Sequence, residues 1–149
     1  MVLAKDTIKA LARHLSLYSV YKEEIIEREV EIINNSSGDV NSGIRSKNKV
    51  SRTTEDIALA LAGDERLTWL KGITMAIDDF RIELLKEEPI LLKIMEAKYL
   101  NKISKERDAD VIAKITCNGY PIGDNMYYAK KERMLYLLEK KLNELQIKI

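Results

Sequence analysis

The stretch Asp124-Asn125-Met126-Tyr127-Tyr128-Ala129-Lys130-Lys131-Glu132-Arg133 opens a helical pattern whose apolar stripe starts only after it, at Met134, Leu135, Leu138, Leu142 and Leu145. Polar, aromatic and basic residues crowd the first turns. A helix built this way suits the DNA major groove, because recognition helices of helix-turn-helix proteins touch base edges from their amino-terminal end. The competing expectation is a core helix with one solvated face.

Two further helices are predicted before it, at about 90–103 and 105–116, with the last running over about 124–147. Pro89 suits a first helical turn, where its missing N–H has no partner to lose. Ser104 is the expected cap of the next helix. Ile94, Leu100, Ile112, Ala113, Ile115, Ile122, Met134 and Leu138 are the predicted core of this trihelical unit, with Ala113 small enough for a close helix crossing. The connection Cys117-Asn118-Gly119-Tyr120-Pro121-Ile122-Gly123 is about seven residues long, whereas a standard helix-turn-helix uses three or four. Gly119 and Gly123 offer backbone freedom, Pro121 forbids helix continuation, and Ile122 is placed to plug the core.

With Asp124 as a cap, Asn125, Tyr128, Lys130 and Lys131 lie near the outward amino-terminal face of the last helix. Asn pairs with adenine through two hydrogen bonds, and Lys donates to guanine acceptors or to phosphate. Arg133 and Lys114 are expected phosphate contacts, and Tyr127 is expected to pack inward.

Toward the amino terminus, Ile8, Leu11, Leu15, Tyr18, Tyr21, Ile25 and Val30 recur at three- and four-residue steps with no Gly or Pro among them. The periodicity predicts one long helix from about Ala4 to Ile33. Asn34 to Arg52 breaks it with small polar residues and two glycines, and Arg45, Lys47, Lys49 and Arg52 follow one another there without an acid between them. Two expectations stand for that loop: a solvated linker, or a basic arm that touches phosphates. A helix restarts near Thr54, with Glu55 and Asp56 complementing its dipole, and stops at Gly63. Asp64 then caps a middle helix to about Lys86, carrying Leu67, Leu70, Ile73, Ile77, Phe80 and Leu84. No segment alternates with period two. The predicted fold is all-α: a long amino-terminal helix packed with the middle helix (residues 1–88, with a flexible basic loop at 34–52), and a helix-turn-helix unit at 89–149.

Composition narrows the function. One cysteine (Cys117) and one histidine (His14) in 149 residues exclude an internal disulfide and a His- or Cys-rich metal site, and leave acid–base chemistry poorly supplied. Acid pairs such as Asp78/Asp79, Glu87/Glu88 and Asp108/Asp110 do not share a helical face, so no catalytic residue, cofactor or metal is expected. No apolar run spans a bilayer and no signal-peptide core is visible, so the expected location is the cytoplasm, with no membrane partner. Net charge is +1, but it is uneven: residues 1–92 carry 13 Lys/Arg against 16 Asp/Glu, and residues 93–149 carry 12 against 8. The basic potential falls on the segment with the candidate recognition helix.

Several motifs resemble, in order, those of the phage late-gene transcriptional regulators of the RinA/ArpU type. These are Tyr21-Lys22-Glu23-Glu24-Ile25-Ile26-Glu27-Arg28-Glu29, Lys49-Val50-Ser51-Arg52-Thr53-Thr54-Glu55, Asp64-Glu65-Arg66-Leu67, Met95-Glu96-Ala97-Lys98-Tyr99-Leu100 and Tyr127-Tyr128-Ala129-Lys130-Lys131-Glu132-Arg133-Met134-Leu135. The last two are similar to the helices that open and close that family's sigma-factor region-four-like module. The resemblance spans about residues 18–140. It implies an activator of phage packaging and structural genes in a bacterial host, acting on double-stranded DNA with host RNA polymerase, with DNA contact at Asn125, Tyr128, Lys130 and Lys131. A homodimer on a two-fold site is compatible with it. Two other readings stay open: a small terminase-like packaging subunit, and a helical protein-interaction module without DNA affinity.

Overall fold

The computed structural model describes residues 3–36, 54–101 and 107–149. Among them the chain forms seven helices and no strand: α1 (Lys5–Ser16), α2 (Tyr18–Ser36), α3 (Thr54–Gly63), α4 (Glu65–Glu87), α5 (Pro89–Lys98), α6 (Asp108–Cys117) and α7 (Asp124–Glu144). The all-α expectation is met. No helix of the described residues is long and apolar enough to cross a membrane.

The long amino-terminal helix is two helices. At Leu17, φ −91° and ψ 0° interrupt the helix, and α2 then runs beyond the expected end to Ser36. Periodicity could not reveal the break, because the buried side chains continue across it: Leu15, Tyr18 and Tyr21 are all in the interior.

The chain divides into two compact units, Met1–Ser19 with Ile73–Ile149, and Val20–Gly72. The expected boundary at residue 88 is displaced because α1 and the second half of α4 bury their stripes with the carboxy-terminal helices. In the larger unit, α1 packs on α7 through buried Leu11 and Leu15, and α4 supplies Ile73, Ile77, Phe80 and Leu84. Leu91 and Met95 of α5 and Met134, Leu135, Leu138 and Leu142 of α7 complete the interior. Tyr18 donates its hydroxyl to Asp78, and the Arg81 guanidinium lies 5.9 Å from the Tyr18 ring centre. Polar groups at the edge of this core are therefore partnered, as burial demands.

In the smaller unit, α2 and the start of α4 are joined by charge as much as by burial. Tyr21, Leu67 and Leu70 are buried, and the Tyr21 and Trp69 rings meet edge to face at 5.3 Å. Arg66 reaches Glu24 at 2.9 Å, Arg28 reaches Asp64 at 3.6 Å, and Lys71 reaches Glu29 at 3.2 Å. Asp64 caps α4 as expected: its Oδ1 accepts the Leu67 N–H at 2.8 Å. No residue of α3 is buried within the described structure.

Helix ends differ from expectation where the backbone found partners that a pattern cannot show. Pro89 does open α5, but the helix stops at Lys98 rather than near 103, and the Tyr99 and Leu100 N–H groups both fold back on the Met95 carbonyl. Arg107, not Ser104, occupies the cap position of α6, and Ser104 lies outside the described residues. Past α7, Gln146 takes a left-handed φ of 57° and lets the Ile147 N–H bond the Leu142 carbonyl at 2.9 Å, ending the helix before 147.

Candidate nucleic-acid interface

Helices α5, α6 and α7 close around a small core of Ile94, Val111, Ile115, Ile122 and Tyr127, with Ile90, Ala97 and Ile112 packed against it. Ile122 plugs this core and Tyr127 faces inward, both as expected. Ala113 does not line the crossing: it is exposed, and Val111 holds the interior position two residues earlier on α6. Leu100 is only half-buried.

The turn between α6 and α7 works through one glycine. Gly119 adopts φ +93°, a conformation that L side chains resist, and the Tyr120 N–H then bonds the Ile115 carbonyl at 3.2 Å. This folds the chain back so that Ile122 enters the core. Gly123 has an ordinary φ of −83° and stands as the residue before α7, so Asp124 is the first helical residue rather than the cap. Its charge still favours the positive end of the helix dipole.

The opening turns of α7 are the exposed part of this unit that carries aromatic and amide groups. Asp124, Asn125, Met126, Tyr128 and Ala129 are exposed, with Met126 at 50% and Tyr128 at 49%, whereas Tyr127 between them is fully buried. Farther on, Arg133 pairs with Glu88 at 3.0 Å and Lys141 pairs with Glu83, which fastens the later turns to the neighbouring α4–α5 corner. So α7 projects its first turns past a packed body.

The predicted contact residues do not share one fate. Asn125 and Tyr128 are exposed on the projecting turns and Lys130 is half-buried beside them. Lys114 is exposed on α6 and, with Lys93, Asn101 and Asn118, lines an open hollow of about 330 Å³. Arg133 is held by Glu88. Lys131 points back toward α6 rather than outward, donating to Asp108 at 3.1 and 3.3 Å. Arg45, Lys47 and Lys49 lie outside the described residues, as does the rest of the basic loop.

Asp108 is the centre that sequence reading missed. It also accepts the Tyr127 hydroxyl at 2.7 Å and lies 3.4 Å from Lys98 Nζ. Burial alone would raise its carboxyl, but the hydrogen bonds from Tyr127 and Lys131 and the nearby ammonium charges outweigh it and hold the carboxyl below its usual range. Burial, then the Asp108 charge, pushes Tyr99 up to about 12, and burial with the hydrogen bond to Asp108 pushes Tyr127 up as well. Both phenols therefore stay protonated donors at neutral pH. No local pattern announces this cluster, because its members are 19 and 23 residues apart.

No protein-family model, no curated protein and no solved structure matches this chain. Lys93 and Tyr120 are two further residues of this surface that sequence reading passed over; the Lys93 ammonium sits 4.7 Å from the Tyr120 ring centre. An exposed tyrosine followed by a proline in a predicted turn was the available signal.

Proposed function

We propose that this chain is a sequence-specific DNA-binding transcriptional regulator whose α6–turn–α7 segment acts as a helix-turn-helix. The observation that carries the reading is the exposure of Asn125, Met126 and Tyr128 on the projecting turns of α7 while the body of that helix is fastened down. A rigidly held helix end bearing a carboxamide, a phenol and a thioether supplies the hydrogen-bond and methyl-contacting groups of major-groove readout. Lys130, Lys114 and Lys93 around it supply phosphate contacts, which position rather than specify. The motif resemblance makes the regulated genes phage late genes, read in a bacterial host cytoplasm with host RNA polymerase.

The test is an anisotropy titration of duplex DNA from the late promoter region of the source genome, with a scrambled control. Wild type is compared with an Asn125→Ala/Tyr128→Ala/Lys130→Ala variant. Lys131 is left intact because it braces α6 against α7. Preferential binding that weakens with salt and is lost in the folded variant supports the reading; no binding to either duplex sinks it.

A second reading is favoured by one observation in the smaller unit. Ile26, Val30 and Ile33 form an exposed i, i+4, i+7 stripe on α2, and Leu59 is exposed on α3. Such a face suits a protein partner, whether a second copy in a homodimer or an unrelated chain. Equal binding to both duplexes together with a ring of many subunits would instead favour a packaging subunit.

A further inference from the structure

Asp108 sits where an anion-binding site would hold its ligand. Tyr127 Oη, Lys131 Nζ and Lys98 Nζ converge on its carboxylate at 2.7, 3.1 and 3.4 Å from two other elements, α7 and the end of α5. Cationic and hydroxyl donors meeting around one oxyanion make a phosphate-type site, and here the oxyanion is internal. The cluster lies at the rim of the core. The side chains of Lys98, Asp108 and Lys131 keep 21%, 26% and 20% of their exposure. Lys131 Nζ is also 5.3 Å from the ring centre of Tyr128, which is itself exposed on the projecting end of α7. An external phosphate at that end is therefore within reach of the same ammonium.

Resting on the proposed function, we infer that Asp108 is an internal stand-in for a DNA-backbone phosphate, and that docking on duplex DNA transfers Lys131 and Lys98 from the carboxylate to a phosphate. A carboxylate and a phosphodiester each present one negative charge to a donor, so they compete for the same ammonium groups. In the free protein Asp108 masks both lysines, which lowers sequence-independent affinity. In the complex the lysines swing outward, and the Tyr127 hydroxyl keeps Asp108 partnered. The masking suits a regulator that must leave the bulk of the genome for one site, because phosphate contacts supply nearly all non-specific binding.

Four proteins test this on a duplex of arbitrary sequence, titrated over a range of salt: wild type, Asp108→Asn, Lys98→Met/Lys131→Met, and the triple variant. Asn keeps the size of Asp and an acceptor for Tyr127 while releasing both lysines. Asp108→Asn is expected to bind several-fold more tightly than wild type at low salt, with a salt slope steeper by about 0.9 for each phosphate gained. The double lysine variant is expected to be shallower than wild type by a similar amount. Adding Asp108→Asn to it is expected to bring no further gain. Circular dichroism and cooperative melting establish that each variant is folded. If folded Asp108→Asn binds no tighter than wild type, or if its gain persists without the two lysines, the stand-in is overturned, and removal of one negative charge or a purely structural ion pair accounts for the cluster. Wild-type binding with either of those results overturns the stand-in alone. No binding by any of the four overturns the proposed function as well.

Discussion

Arg66 joins Glu24 through two near-parallel hydrogen bonds, Nε to Oε2 at 2.9 Å and the second guanidinium nitrogen to Oε1 at 3.1 Å. The same guanidinium lies 5.0 Å from the ring centre of Trp69, the single tryptophan of the chain. The fork-to-fork geometry fixes α2 against the start of α4, and an intrinsic fluorophore sits on the joint.

The hydrogen bond from Arg66, outweighing partial burial and assisted by Arg28, holds the Glu24 carboxyl down at about 2 from an ordinary 4.5. A depressed folded-state value stabilises the α2–α4 joint above the unfolded value, and that contribution is lost as pH falls from about 4.5 through about 2. Trp69 emission is expected to change over that window. Glu24→Gln is expected to start from a weaker joint and to lose most of the acid dependence. Parallel acid transitions in the two proteins would mean that another carboxyl drives the change.

Asp64 gives the same probe a second use. Its side chain satisfies the Leu67 N–H at the start of α4, and Asp64→Ala is expected to cost about 1 kcal/mol. Because Arg28 also pairs with Asp64 at 3.6 Å, the loss should be visible at Trp69 before the helical signal of the whole chain declines. Urea titration followed by fluorescence and by circular dichroism separates the two; coincident curves with an unshifted midpoint would contradict the cap.

The two glycines of the α6–α7 turn are expected to respond oppositely. A methyl group meets nothing within 4 Å at either position, so sterics do not distinguish them. Backbone conformation does. Gly119→Ala forces φ +93° on an L residue and is expected to destabilise by about 1 kcal/mol, whereas Gly123→Ala at φ −83° is expected to be neutral or to stabilise by about 0.5 kcal/mol. Thermal midpoints of the two variants check the sign.

Tyr127 separates packing from hydrogen bonding. It is fully buried in the core of the α5–α6–α7 unit and donates to Asp108 at 2.7 Å. Tyr127→Phe keeps the ring and is expected to cost about 1–2 kcal/mol, since a partly buried carboxylate loses a donor. Tyr127→Ala also empties a ring-sized volume and is expected to cost about 3–5 kcal/mol. Equal costs in urea denaturation would show that the hydroxyl, not the ring, sets the contribution.

Much of the fold was legible in the chain because helical information is local. Apolar spacing marked the interiors of α2, α4 and α7, and Asp64, Pro89, Gly63 and Pro121 marked ends through backbone chemistry that acts within a turn. Asn125 and Tyr128 were also readable as outward residues, since Tyr127 and Met134 between and after them claim the buried face. Lys131 was not. Helical phase left it ambiguous, and its direction depends on a carboxylate 23 residues away.

Local pattern was enough to establish that this chain is helical, where most helices begin, and that the start of α7 is polar, aromatic and basic. It took the packed helices to settle which of those cations face outward. Packing also put α1 and the second half of α4 into one core with α7, and gathered Tyr127, Lys131 and Lys98 around Asp108. The difference is one of range. Propensity, capping and phase act over four or five residues, whereas an ion pair or a buried contact is set by whichever helices the hydrophobic effect brings together.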